Sequence, residues 1–350
     1  MPARRVGFFT LMLVGAAFAD VAWCAESDAG GEIEVENTPP IELRPHIEHL
    51  TPGLDQLISA DAEVEVIATG FHWTEGPLWV DAQQTLLFSD VPANTVYAWR
   101  EGDGVSIYLR PSGYTGTVLR GGEPGANGLA LDADGQLLLC QHGDRRLARM
   151  SAILSQPEPA YATIAGQYDG ARFNSPNDLA VDSSGNIYFT DPPYGLEQGI
   201  DDAARELEVY GVYRVSPDGQ VTLLVDELAR PNGIALSPDE RTLYVSNSDP
   251  ERAIWMSYSV RPDGSLSDQA VFYDATALVA SKPGLPDGME VDDRGNLFAT
   301  GPGGVLIFTP AAELLGTIIT GVPTGNVAFN ADKSILYITA NDSLLRVRLH

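Results

Sequence analysis

Apolar and polar residues alternate with a period of two through many short runs, and clusters of Gly, Asp, Asn and Pro separate those runs. Residues 285–300, LPDGMEVDDRGNLFAT, show the unit: an acidic residue before Gly, an alternating strand, an Asp-rich turn ending in Gly, and a second apolar strand. The same grammar returns as EGPLWVDAQQTLLFSD from Glu75, NGLALDADGQLLLCQH from Asn127, NDLAVDSSGNIYFTD from Asn177, NGIALSPDERTLYVSN from Asn232 and NVAFNADKSILYIT from Asn326. The six copies lie 39 to 55 residues apart, the spacing of propeller blades. Two further apolar runs follow most copies, giving four antiparallel strands per unit. The last copy has only three, NVAFNA, ILYITA and SLLRVRL, whereas EVEVIATG at 63–70 is a strand without a blade. Letting that N-terminal strand complete the sixth blade closes the ring and removes two exposed sheet edges. The pattern therefore predicts an all-β, six-bladed β-propeller.

Upstream of that strand the pattern changes. Arg4 and Arg5 precede the apolar run VGFFTLMLVGAAFA, which is too short for a membrane span and ends in small residues. Residues 1–25 read as an export signal cut after Ala19 or Ala25, so a periplasmic or secreted protein is expected. Residues 26–61 are acidic and Pro-containing, with no sustained period, and are expected to be a flexible arm in which His46 and His49 are solvated. Removing residues through Ser59 is expected to leave a folded protein. The propeller is assigned to 62–350.

Composition narrows the partners. A net charge of −27, from 48 acidic and 21 basic residues, disfavours nucleic acid and anionic membranes and favours cations or neutral substrates. A monomer or weak oligomer is expected. Cys140 sits on an apolar strand and reads as a buried structural thiol, not part of a disulfide framework.

The first residue of each copy carries a side-chain oxygen: Glu75, Asn127, Asn177, Asn232, Asp287 and Asn326. Equivalent positions in a propeller form a ring about the central channel, so six donors are expected to converge. Asn-Gly and Asp-Gly are also ordinary turn formers, and that reading stands beside the ring for Asn127 and Asn326. It fails for Glu75, a poor turn residue. Two carboxylates and several amide oxygens, without Cys or His, describe a hard-cation site for which calcium is the natural occupant and Zn2+, Mn2+ or Mg2+ are substitutes.

EGPLW at 75–79, RFNSPNDLAVD at 172–182, TDPPYG at 190–195, RPNGIALSPD at 230–239 and LPDGM at 285–289 resemble the gluconolactonases, the regucalcin (senescence marker protein) family of six-bladed propeller lactonases. The resemblance implies that Glu75, Asn232 and Asp287 ligate a divalent metal, that Asn177 contacts substrate or metal-bound water, and that Asp287 is the catalytic carboxylate. A family arginine that binds substrate has no unambiguous counterpart, a two-residue offset leaving Ser175 or Arg172. Asn127, His142, Asp191 and Tyr194 are further candidates for substrate contact. The implied chemistry is opening of a small neutral lactone, a sugar lactone such as gluconolactone, by water that Asp287 deprotonates. No G-x-S-x-G elbow supports a serine nucleophile. Competing readings are a calcium-dependent arylesterase of the paraoxonase kind, a non-catalytic propeller binding protein or carbohydrate in the envelope, and a strictosidine-synthase-like condensing enzyme. The export signal makes one prediction: protein recovered from cells begins at Asp20 or Glu26. N-terminal sequencing checks this, and an intact Met1 leader would sink it.

Overall fold

A computed structural model describes residues 45–350. The expected leader, 1–25, and the first part of the expected arm lie outside the described residues. Six antiparallel sheets follow one another in the order the repeats predict. The inner strands are Thr74–Val80, Ala126–Leu131, Leu179–Val181, Pro231–Leu236, Met289–Val291 and Thr324–Phe329. Each packs on the next, and the last packs on the first. That is a closed six-bladed propeller.

The closing blade is built as expected. Val64–Thr69 pairs with the C-terminal strand Ser343–Arg348, with Glu65 opposite Arg346 and Val66 opposite Leu345. Arg346 reinforces the register, its Nη2 lying 2.7 Å from Glu65 Oε2 while its Nη1 meets Glu101. Between blades the cores are apolar: Leu87, Val96, Leu137 and Met150 fill the space between blades one and two, and Phe173, Phe189 and Tyr213 stack in blade three.

The second half of the expected arm differs. His46–His49 forms a fifth strand on the outer edge of blade five, with His46 opposite Ile319 and His49 opposite Gly316. A 3-10 turn at Leu54–Gln56 follows, and Leu54 and Ile58 are both fully buried against Phe298, Leu315 and Ile318. His49 is not simply solvated, since its Nδ1 lies 2.8 Å from Asp55 Oδ1. The segment was illegible because its strand is four residues long and its partner, Leu314–Ile319, lies far along the chain.

The pairing and burial give residues 46–58 a part in stability that a flexible arm would not have. A chain beginning at Ala60 should melt well below one beginning at Pro45, because it loses an edge strand and two buried aliphatic side chains. Leu54→Ala alone should cost about 3 kcal/mol, read from denaturant unfolding. Equal midpoints for the two truncations would contradict the packing.

Candidate active site

Four of the six inner strands shift their pairing register where they enter the channel. In blade one the pairing register shifts between Glu75 and Leu78, a bulge that turns the Glu75 side chain toward the axis. Gly76 follows with φ +47, and a Cβ there would sit 2.0 Å from the Asn127 carbonyl oxygen of blade two. Gly128 meets the Asn177 carbonyl in the same way and donates its N–H to it at 2.7 Å, while a Cβ on Gly233 would meet the Asp287 carbonyl at 2.2 Å. The Gly after Glu75, Asn127 and Asn232 is therefore a spacer that lets adjacent blades touch backbone to backbone around the axis.

Blade six breaks the pattern, and the expected six-oxygen ring changes with it. Gly325, not Asn326, holds the ring position: its carbonyl accepts the Gly288 N–H at 2.8 Å, and a Cβ there would meet Glu75 Oε1 at 2.7 Å. Asn326 stands one residue later, on the opposite side, where its Nδ2 donates to Asp178 Oδ2 at 3.3 Å. A one-residue offset on a strand turns a side chain to the other face.

Glu75, Asn127, Asn177, Asn232 and Asp287 line one cavity of about 470 Å3, together with Tyr194. Glu75 is held by two donors, the Trp73 indole Nε1–H to Oε1 at 3.1 Å and the Gly76 N–H to Oε2 at 3.3 Å. Asn232 donates from Nδ2 to Ser248 Oγ at 2.9 Å, so its amide oxygen is left to face another partner. Asn127 Oδ1 and the Tyr194 hydroxyl are buried with no hydrogen-bond partner among the described residues. Burial above all pushes the Glu75 carboxyl upward, against the Trp73 hydrogen bond. Asp287 is held well above the usual carboxylate range, first by burial and then by the charges of Glu75, Asp178 and Glu123. Acidic groups crowded around unsatisfied amide oxygens suit a cation. No three His, Cys, Asp or Glu side chains among the described residues cluster tightly enough to hold a metal by themselves. An ion here would have to draw on amide oxygens, which is what Asn127 and Asn232 offer.

Two candidates lie elsewhere. Asp191 is fully buried and does not reach the cavity; its carboxylate accepts from Asn174 N at 2.8 Å, Asn174 Nδ2 at 2.9 Å and Ser175 N at 2.7 Å. It fixes the loop that carries Asn177 instead of forming a rim. His142 is also fully buried and stands behind Glu123, which does line the cavity. Of the stand-ins for the family arginine, Ser175 is spent on the Pro192 carbonyl and Arg172 reaches the Asp144 carbonyl; neither lines the cavity. His72, next to Trp73, is exposed and paired with Asp90 at 3.3 Å. Trp73, Glu123, Ser248 and Lys282 are cavity residues the sequence did not single out. Only Trp73, beside Glu75, carried a positional signal.

The family profile described as the SMP-30/gluconolactonase/LRE-like region matches residues 73–342. The chain belongs to the SMP-30/gluconolactonase family. It is a lactonase. A gluconolactonase of Zymomonas mobilis is 41% identical over 309 residues, covering 86% of this chain and 85% of its own. A solved gluconolactonase of Xanthomonas campestris superimposes with a TM-score of 0.75 at 34% identity, over 88% of this chain and 96% of that one. A calcium-binding regucalcin from Agrobacterium tumefaciens shares the fold, with a TM-score of 0.64 at 19% identity over 82% and 95% of the two chains.

Beneath the ring the channel of the lactonase continues as a second cavity of about 350 Å3 that includes Asp178, Glu290 and Asn326. Burial raises the Glu290 carboxyl to about 7, opposed by Lys333 and assisted by Asp178. The folded chain thus keeps a proton that the unfolded chain releases above roughly pH 4.3. That contribution to stability is complete below the unfolded value and is lost as the pH rises through about 7. Glu290→Gln, neutral throughout, should stabilise the lactonase at pH 8 by on the order of 2 kcal/mol and leave it nearly unchanged at pH 4. Denaturant melts at the two pH values check this; equal shifts would refute the assignment.

Proposed function

We propose that the lactonase opens a small neutral lactone, a sugar lactone such as gluconolactone, in the 470 Å3 cavity with the help of a divalent cation. The observation that carries this reading is the floor of that cavity, where two carboxylates share space with an unpartnered amide oxygen. Glu75, Asn232 and Asp287 would hold the cation, calcium by their all-oxygen character. When bound, it would supply Lewis acidity to the lactone carbonyl.

The chain's own groups do the rest. Asp287 accepts a proton from the attacking water, as a carboxylate placed in the cavity can. The Trp73 indole and the Gly76 N–H fix Glu75, so its carboxylate does not reorient during turnover. Ser248 turns the Asn232 amide so that its oxygen is free. Asn127, Asn177 and the Tyr194 hydroxyl offer hydrogen bonds to the lactone ring. Trp73, Pro250, Val279, Pro283 and Leu285 form the less polar wall and limit water at the reacting carbon.

Asp287→Asn separates the two roles of that residue, because the amide keeps an oxygen donor and loses the base. Gluconolactone hydrolysis should fall by roughly two to four powers of ten. The measurement is turnover at increasing calcium, with occupancy followed separately by calorimetry. A mutant that regains the wild-type rate once its site is filled would show that Asp287 is a ligand only. Undiminished wild-type turnover after exhaustive chelation would remove the cation from the scheme.

A further inference from the structure

A third carboxylate faces the cavity from outside the repeat. Glu123 belongs to the loop GGEPG before the inner strand of blade two, and its position is built, not incidental. Gly125 donates its N–H to the Val91 carbonyl at 2.9 Å, His142 N–H to the Gly125 carbonyl at 3.2 Å, and Gly143 N–H to the Pro124 carbonyl at 3.2 Å. These bonds pin the chain just after Glu123 to the turn that carries His142. The imidazole Nδ1 lies 3.5 Å from Glu123 Oε2. His142 is fully buried, yet neither ring nitrogen has a hydrogen-bond partner among the described residues. Space around it is tight: a Cβ on Gly195 would stand 2.5 Å from the His142 Cβ. A buried imidazole that satisfies nothing in the fold costs stability. Its Nδ1 faces a carboxylate that lines the cavity.

We propose that Glu123 is a substrate-contacting residue that accepts a hydrogen bond from a ring hydroxyl of the lactone, and that His142 is its positioning residue. The inference rests on the reading that this cavity is where the lactone is opened, and it deepens that reading by assigning recognition of the ring hydroxyls to Glu123 and His142. An ionised carboxylate offers only acceptors, so its complement is a donor such as a hydroxyl. A plain alkyl lactone or one bearing only an acyl chain has no such hydroxyl, and it would leave the carboxylate desolvated and unpaired. The preferred substrate is therefore a polyhydroxylated lactone.

The test uses the full chain loaded with calcium. The variants are Glu123→Gln, His142→Asn and His142→Leu. The substrates are gluconolactone and δ-valerolactone, which share a ring size and differ in hydroxyls. Glu123→Gln should raise KM for gluconolactone about tenfold with a smaller change in kcat. The preference for gluconolactone, expressed as the ratio of the two kcat/KM values, should then fall by about the same factor. His142→Leu should move the ratio in the same direction by a few fold, because the polar ring atom that stands 3.5 Å from Glu123 Oε2 is lost. His142→Asn, whose amide nitrogen stands near the place of Nδ1, should restore most of it. A merely structural histidine would lower both substrates together and would not be rescued by Asn. An unmoved ratio in Glu123→Gln overturns the proposal. So does a loss of calcium affinity that depresses both substrates equally, which would make Glu123 a ligand. Should His142→Leu fail to fold, Glu123→Gln decides alone. A wild type that opens neither lactone refutes the lactone site itself and this inference with it; one that opens both with an unmoved ratio refutes only the inference.

Discussion

Repulsion between carboxylates is the constraint that the rest of the architecture answers. Glu75 comes from the first inner strand and Asp287 from the fifth, and both open onto one cavity in which burial already disfavours their charge. A ring able to relax would let the two carboxyls separate. Three features prevent it. Backbone contacts at Gly76, Gly128 and Gly233 lock neighbouring blades at the axis. Hydroxyls on the second strands then take up inner-strand carbonyls: Ser89 donates to Asn127 at 2.9 Å, Thr190 to Asn232 at 2.6 Å and Thr300 to Gly325 at 2.8 Å. Finally, the strand Val64–Thr69 ties the first blade's entry to the last blade, so opening the ring means breaking a sheet. A site of like charges is affordable only inside a ring that cannot relax.

How much of this was readable follows from what a linear pattern can carry. Blade number, strand order and closure were legible because they rest on period-two runs and a count of strands. The ring positions were legible in the five blades where an oxygen-bearing side chain occupies them, Glu75, Asn127, Asn177, Asn232 and Asp287. At Gly325-Asn326 the order is reversed, and aligning Asn rather than its place in the bulge put one donor on the wrong side of the channel. Asp178 shows the same logic from the other direction. It occupies in blade three the place that Gly takes elsewhere, and its Oδ2 accepts from Asn326 across the channel, a pairing no local window could suggest. Asp191 and His142 were recognised as unusual residues close to the site. Whether such a residue faces the cavity or stands behind it depends on loop packing, as the bonds from Asn174 and Ser175 to Asp191 illustrate.

The distribution of charge around the cavity also bears on the direction of the reaction. Glu75, Glu123 and Asp287 line the cavity, and Lys282 is the one basic residue in that lining, 4.0 Å from Glu48. A neutral lactone enters such a site without electrostatic cost. Ring opening converts it into a carboxylate, which then sits among fixed negative groups in a chain of net charge −27. A bound cation would offset part of that repulsion locally while the acyl carbon reacts, but not at the rim, where Glu123 stands. A carboxylate that selects a hydroxylated substrate through a hydrogen bond, as proposed for Glu123, would also disfavour the anionic product. Selectivity on entry and release after hydrolysis would then come from one side chain, acting on two different charge states of its ligand.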